Sequence, residues 1–197
     1  MITKEELLKH SIAKFTQYGS KHVTLDELAN ELGISKKTIY TFFKNKEDLV
    51  VSSIQSLINE YKEDINRLIN SNGKDPILSV ILIYQRGFEY LKYFKPSFLF
   101  GLEKYYSKAN TIFKSFSEEL ASSIIYSLLK QAQDLNHIRN DVNLELVVRI
   151  YFYRIDQLIF KNNNLFDSYS KNSLFKHLVV YNLKGIIANN YTNTYFD

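Results

Sequence analysis

Cysteine and tryptophan are absent from this 197-residue chain, and glycine and proline are scarce, at six and two. Without a thiol there is no disulfide framework, no thiolate catalysis and no cysteine-ligated zinc or iron–sulfur centre, and the chain suits a reducing compartment. Gly and Pro together fall to about a third of their ordinary share, which disfavours folds rich in tight turns and favours long helices. No apolar run approaches the ~18 residues needed to cross a bilayer, and the longest uncharged apolar block spans residues 76–84. The first ten residues are charged and polar, unlike an export signal, so a cytoplasmic protein without membrane contact is expected. The histidines, His10, His22, His137 and His177, are not spaced to pair on one helix face. There is also no glycine-rich phosphate loop and no G-x-S-x-G elbow, so neither metal, cofactor nor enzymatic activity is expected.

What the chain does have is enough apolar content, 45%, to bury a core. Its hydrophobic residues recur at helical spacing. Thr3 and Glu6 form a capping-box pair ahead of Leu8, Ile12 and Phe15, with Gly19 as the stop. Thr24 and Glu27 repeat the box, Gly33 closes that short helix, Ser35 caps a third, and Asn45 opens a fourth. The fourth carries Val50, Ile54, Leu57, Tyr61, Ile65 and Leu68 on one stripe. Further helices are read from Pro76, from Pro96 to about Tyr106, along Ile112, Phe116, Leu120, Ile124 and Leu128, and over residues 143–161 and 172–189. The expectation is an all-α protein of about nine helices: a three-helix domain over residues 1–47, then a larger helical domain over 48–197.

The segment from Leu25 to Lys44 meets the needs of a helix-turn-helix. Ala29 is small enough for two helices to cross, Gly33 can take positive φ in the turn, and Leu28, Leu32, Ile34, Ile39 and Phe42 are spaced to pack. If Ile39 and Phe42 face inward, Lys36, Lys37, Tyr40 and Thr41 face outward, types suited to base edges and phosphates in a major groove. The net charge is only +4, but Lys36, Lys37, Lys44 and Lys46 stand without an acid between Gly33 and Lys46. Thr24 and Lys46 sit at flanking helix starts, where phosphate is attracted. With Ser35 and Thr38 these residues make up the candidate DNA-reading set.

The same positions give the chain a resemblance to the TetR/AcrR family of bacterial transcriptional regulators. Phe15 and Gly19, Thr24, Leu28-Ala29, Gly33-Ile34-Ser35, Thr38-Ile39-Tyr40, Phe43, Lys46-Glu47 and Leu49 follow the family pattern in order and spacing, over about a quarter of the chain. His10-Ser11 and Leu32 depart from it, at positions where alanine is common. The resemblance implies a homodimer with a helix-turn-helix domain, a linking fourth helix, an effector-binding domain and dimerisation through the last two helices. It also implies a repressor of double-stranded operator DNA.

Beyond residue 70 no motif marks a site. Residues 143–161 are apolar on nearly every face, with Leu174, Leu178, Tyr181 and Ile186 as a second stripe, which suits a helical interface between two copies. Phe and Tyr number 29 together and cluster between Tyr84 and Tyr153. Tyr84, Phe88, Phe98, Tyr105, Phe113, Tyr151 and Arg154 are the candidate lining of a pocket for an apolar or aromatic effector. Arg86, Arg149 and Asp156, on equally apolar stretches, either orient a ligand or pair structurally. The reading is a ligand-responsive, dimeric DNA-binding regulator of a palindromic operator. The alternative is a helical small-molecule-binding protein that no longer reads DNA.

Overall fold

A computed structural model of the chain describes residues 2–91, 96–155 and 165–196. The helices are α1 (Lys4–Tyr18), α2 (Leu25–Glu31), α3 (Lys36–Phe42), α4 (Lys46–Asn72), α5 (Pro76–Leu91), α6 (Pro96–Tyr105), α7 (Ser107–Glu119), α8 (Tyr126–Asp134), α9 (Leu144–Ile155), α10 (Leu165–Ser168), α11 (Lys171–Phe175) and α12 (Tyr181–Lys184). A π-helical stretch, Leu120–Ile125, carries α7 into α8, and another, Lys176–Val180, carries α11 into α12. Counted as continuous rods, the described residues form nine helices and the single turn α10, so the fold is all-α as expected. Among the described residues the only β-type pairing is one antiparallel bridge, Ile138 to Ile187.

The chain divides into two compact units: Met1–Glu60 with Tyr93–Ser115, and Tyr61–Lys92 with Phe116–Asp197. In the first, both capping boxes form. Glu6 N–H donates to Thr3 Oγ1 at 3.1 Å while Thr3 N–H donates to the Glu6 carboxylate at 2.8 Å, and Thr24 and Glu27 repeat the exchange at 3.1 and 2.6 Å. Gly19 ends α1 at φ +86°, and Gly33 turns the chain between α2 and α3 at φ +62°. Leu7, Phe15, Leu28, Ile39, Phe43 and Leu49 are buried, each contributing about 1.5–3 kcal/mol of transfer free energy. Phe42, expected inside, is only half-buried and Phe43 takes the core position: α3 ends at Phe42, and the extended backbone of Phe43 turns its ring inward. α6 packs on α1 in this unit, burying Phe98 and Leu102, and Tyr106 donates to Ser20 O at 3.3 Å.

The second unit is built around α5, whose Ile77, Val80, Ile81, Ile83 and Phe88 are buried, with α8 packed against it. Asp75 caps α5 through Leu78 N–H at 3.0 Å, and Tyr191 near the C-terminus donates to the same carboxylate at 2.9 Å. Regular α spacing predicts a stripe of Phe116, Leu120, Ile124 and Leu128, but the buried positions are Phe116, Ala121, Ile125 and Leu128. The π-helical stretch explains the shift, because its wider turn adds a residue and moves the inward register by one. Tyr181, expected on an apolar stripe, is exposed, and the last rod ends at Lys184 rather than near residue 189. The expected helix over 143–161 is seen as α9, and residues 156–161 lie outside the described residues.

A close approach sets the packing of α4 on α5. The Tyr61 hydroxyl donates to Ile83 O at 2.7 Å, its ring meets Tyr90 at 5.3 Å and Phe116 at 5.9 Å, and burial pushes the phenol up. A methyl group on Gly87 would lie 2.7 Å from that hydroxyl. Gly87→Ala is therefore expected to cost about 1–3 kcal/mol in urea unfolding. Because the colliding atom is the hydroxyl, adding Tyr61→Phe recovers part of the loss in a double-mutant cycle, whereas strictly additive losses would contradict the contact.

Candidate DNA-reading face and effector region

The recognition helix of a helix-turn-helix must present one face outward while the other is anchored, and α3 does so within seven residues. Ser35 caps it, its Oγ accepting from Thr38 N–H at 3.1 Å, and Ile39 with the following Phe43 anchors it. Lys36, Lys37, Tyr40 and Thr41 are exposed, Tyr40 by 48%. The crossing is closed by Ile34 N–H donating to Ala29 O at 2.9 Å, with Ala29 buried between the helices.

Several of these side chains are already engaged. Lys36 Nζ lies 2.9 Å from Asp26 Oδ2 on α2, which raises the ammonium above its ordinary value. Thr24 gives its hydroxyl to the capping box, and Thr41 Oγ1 donates to Thr38 O at 2.6 Å. Lys37 and Lys44 are exposed with no ion pair among the described residues. Lys46, at the start of α4, donates to Lys21 O at 3.3 Å and is half-buried. Burial, reinforced by the Lys21 charge, pulls its ammonium down. Behind this face, Glu31 joins α1 to α2 by accepting from Lys14 at 2.6 Å, with His10 Nε2 at 2.7 Å.

The candidate effector residues divide between the two units. Phe98, buried, Tyr105, exposed, and Phe113, half-buried, belong to the first; Tyr84, Phe88 and Tyr151 belong to the second. Tyr84 and Tyr151 line one narrow apolar gap of about 10 Å³ with Val80, Ile125, Leu129, Val147, Val148 and Leu183, room for a single water. Phe88 does not line it; it packs edge-on against Phe175 at 6.0 Å. The Arg154 side chain and all of Asp156 lie outside the described residues. Arg149 pairs with Glu145 at 2.9 Å on the surface of α9.

A second concavity, an open groove of about 400 Å³, carries charged side chains beside two leucines: Asp64, Arg67 and Leu68 of α4 and Leu82, Gln85, Arg86 and Glu89 of α5 line it. The Asp64 carboxylate is its hub, receiving Arg86 Nε at 2.5 Å, the Tyr90 hydroxyl at 3.1 Å and the Arg67 guanidinium. Burial pushes this carboxyl up, but the bonds from Arg86, Tyr90 and Arg67 outweigh it and hold it below the ordinary range. Arg86 also binds Glu89 at 2.8 Å, so this arginine is structurally paired. Sequence reasoning left the role of Arg86 open and missed Asp64, an acid buried on the same side of α4 as Tyr61 and Ile65.

Comparison with known proteins gives this geometry its context. Residues 7–52 match the family described as bacterial regulatory proteins, tetR family. An HTH-type transcriptional regulator of Bacillus subtilis, YvaF, is 27% identical over 84% of this chain and 86% of its own length. The negative regulator of the biofilm operon icaADBC in Staphylococcus aureus, IcaR, is 26% identical over 68% of this chain and 63% of its own. Two solved structures share the fold. Escherichia coli NemR in its reduced form has TM-score 0.74 at 15% identity, covering 95% of this chain and 98% of that one. The Bacillus subtilis regulator FadR, in complex with stearoyl-CoA, has TM-score 0.72 at 16% identity, covering 93% and 100%. The resemblance carried by Phe15 through Leu49 is borne out.

Two predictions follow from the electrostatics. Asp26→Asn frees Lys36 and removes a negative charge beside the exposed lysines, so affinity for a duplex of random sequence rises several-fold at low salt and the gain fades as screening increases; unchanged affinity in a fluorescence-anisotropy titration would show the pair to be irrelevant. Asp64→Asn lowers stability by about 1–3 kcal/mol at neutral pH by leaving the arginines without their shared partner. Because the folded carboxyl is depressed, its contribution is present above the unfolded value near 4 and is lost as pH falls through the folded one. The gap between wild type and Asp64→Asn in thermal melts therefore narrows below about pH 4, and a gap that widens there contradicts the assignment.

Proposed function

We propose that this chain, a DNA-binding transcriptional regulator of the TetR family, works as a repressor: a homodimer sits on a palindromic operator and leaves it when a small apolar or aromatic effector binds. The observation that carries the reading is the outward set on α3, Lys36, Lys37, Tyr40 and Thr41, held there by the burial of Ile39 and Phe43. Lys37 reaches guanine acceptors or phosphate, Thr41 offers its methyl to thymine, and the Tyr40 hydroxyl donates to phosphate. Thr24, Ser35, Thr38, Lys44 and Lys46 flank them on the backbone. Residues 1–47 do the reading and residues 48–197 the responding.

The dimer is supported by α9. Leu146 and Ile150, one turn apart on its outer face, are 55% and 54% exposed, and Tyr181 is 52% exposed on α12. A second copy would remove this surface from water and place two recognition helices on two half-sites. The effector is proposed to enter at the Tyr84–Tyr151 gap, where the lining is aliphatic except for two phenols. FadR's complex with stearoyl-CoA supports an apolar ligand, and IcaR's role as a negative regulator supports repression. The effector would favour one position of α4, whose residues belong to both units, and so lower operator affinity by its differential binding to the two states. Such a protein works by binding in the cytoplasm rather than by catalysis.

The test uses the duplex upstream of the protein's own gene. Lys37→Ala and Tyr40→Ala are each expected to cost about 1–3 kcal/mol of binding while the protein still elutes as a folded dimer. Ile150→Glu is expected to give a folded monomer by sedimentation, with weakened operator binding. Full affinity in Lys37→Ala and Tyr40→Ala would remove α3 from the DNA and leave the small-molecule-binding reading standing.

A further inference from the structure

Six lysines of the described residues pair with a carboxylate: Lys14 with Glu31, Lys36 with Asp26, Lys62 with Glu119, Lys114 with Glu103, Lys130 with Asp134 and Lys171 with Glu89. Three lysines without such a partner gather around the turn that follows α1 in the first unit. Lys21 follows α1, Lys46 opens α4 and Lys104 lies in the last turn of α6, and none of the three has an ion pair among the described residues. They form a chain of contacts. Lys46 Nζ donates to Lys21 O at 3.3 Å, Lys21 Nζ sits 4.7 Å above the Tyr105 ring, and Lys104 Nζ lies 5.4 Å from the same ring. α6 is held against this turn: a methyl group on Gly101 would come within 3.1 Å of Ser20 Oγ and 3.9 Å of Lys21 N.

Glu47, beside Lys46, is exposed and acts on the Tyr106 phenol, and two other acids near the cluster are already engaged. Glu27 attracts Lys46, but its carboxylate is bonded to Thr24 N–H at 2.6 Å and Oγ1 at 3.0 Å, and Glu103 is turned to Lys114. Lys46 is meanwhile half-buried and repelled by Lys21, so an anion placed between the ammonium groups would relieve both. Tyr105, 43% exposed, has its ring shared between two cations rather than turned to an apolar cavity. The ring face holds each ammonium by its quadrupole and leaves N–H groups free toward solvent.

We propose that Lys46, Lys21, Tyr105 and Lys104 form a second phosphate-binding ridge, by which α6 and the turn after α1 grip the duplex backbone outside the bases read by α3. The inference rests on the DNA-binding reading above and enlarges that interface with residues beyond the helix-turn-helix. Contacts of this kind position the protein without reading sequence, so they act on any duplex and respond steeply to salt.

The test measures equilibrium binding to a random-sequence duplex of about 40 base pairs, roughly four helical turns, across a salt series. Lys21→Ala and Lys104→Ala are each expected to lower affinity several-fold at low salt and to reduce the slope of log K against log salt by about 0.9, one phosphate contact. Lys104→Glu enlarges the loss. Tyr105→Phe keeps the ring face and binds as wild type, whereas Tyr105→Leu binds more weakly. Lys176→Ala, an exposed lysine of the second unit, controls for net charge. The ridge is refuted if Lys21→Ala and Lys104→Ala keep the wild-type slope or fall only as far as Lys176→Ala. Failure of the wild type itself to bind any duplex overturns the DNA reading instead, and the ridge with it.

Discussion

The burial of Ile39 and Phe43 behind a glycine-turned α3 is the constraint on which the functional face depends. A helix of seven residues is too short to persist alone in water, so its existence and its rotation both come from tertiary packing. Gly33 supplies the left-handed turn, and nothing stands within 4 Å of where its Cβ would be, so backbone conformation rather than space calls for glycine. Ala29 is buried at the crossing, where a larger side chain would push the helices apart. With the inner face committed in this way, Lys36, Lys37, Tyr40 and Thr41 have only the outer one.

Charge on that face is arranged in two classes. Lys36 is held by Asp26, so a phosphate placed against it would exchange one ion pair for another with little net gain. Lys37, Lys44 and Lys46 have no carboxylate partner among the described residues, so a phosphate placed against them would break no existing ion pair. A formal charge of only +4 is therefore a poor guide to the electrostatics of the first unit. What matters is which lysines the acids have already taken.

The second unit uses polar groups for a different end. Asp64 gathers Arg86, Arg67 and Tyr90 between α4 and α5, while Gly87 lets the Tyr61 hydroxyl reach Ile83 O beneath. Asp75 serves both as the cap of α5 and as the acceptor for Tyr191, which ties the end of the chain to the start of the central helix. These bonds fix α5, whose Val80 and Tyr84 line the Tyr84–Tyr151 gap.

The helices and their ends were legible in the sequence because caps are local: Thr3, Thr24 and Ser35 each bond within three residues, and Gly19 and Gly33 act through their own φ. The helix-turn-helix was legible for the same reason, all its requirements falling within a short span of chain. What only the tertiary structure decided are matters of long-range partnership. Phe43 rather than Phe42 fills the core, a π turn moves the buried register of the α7–α8 rod from Leu120 to Ala121, Arg86 is paired, and Tyr105 stands between two lysines. No periodicity encodes these, because the backbone departs from regular α geometry at Phe43 and over Leu120–Ile125, while Arg86 and Tyr105 take partners, Asp64 and Lys21, that lie far away in sequence.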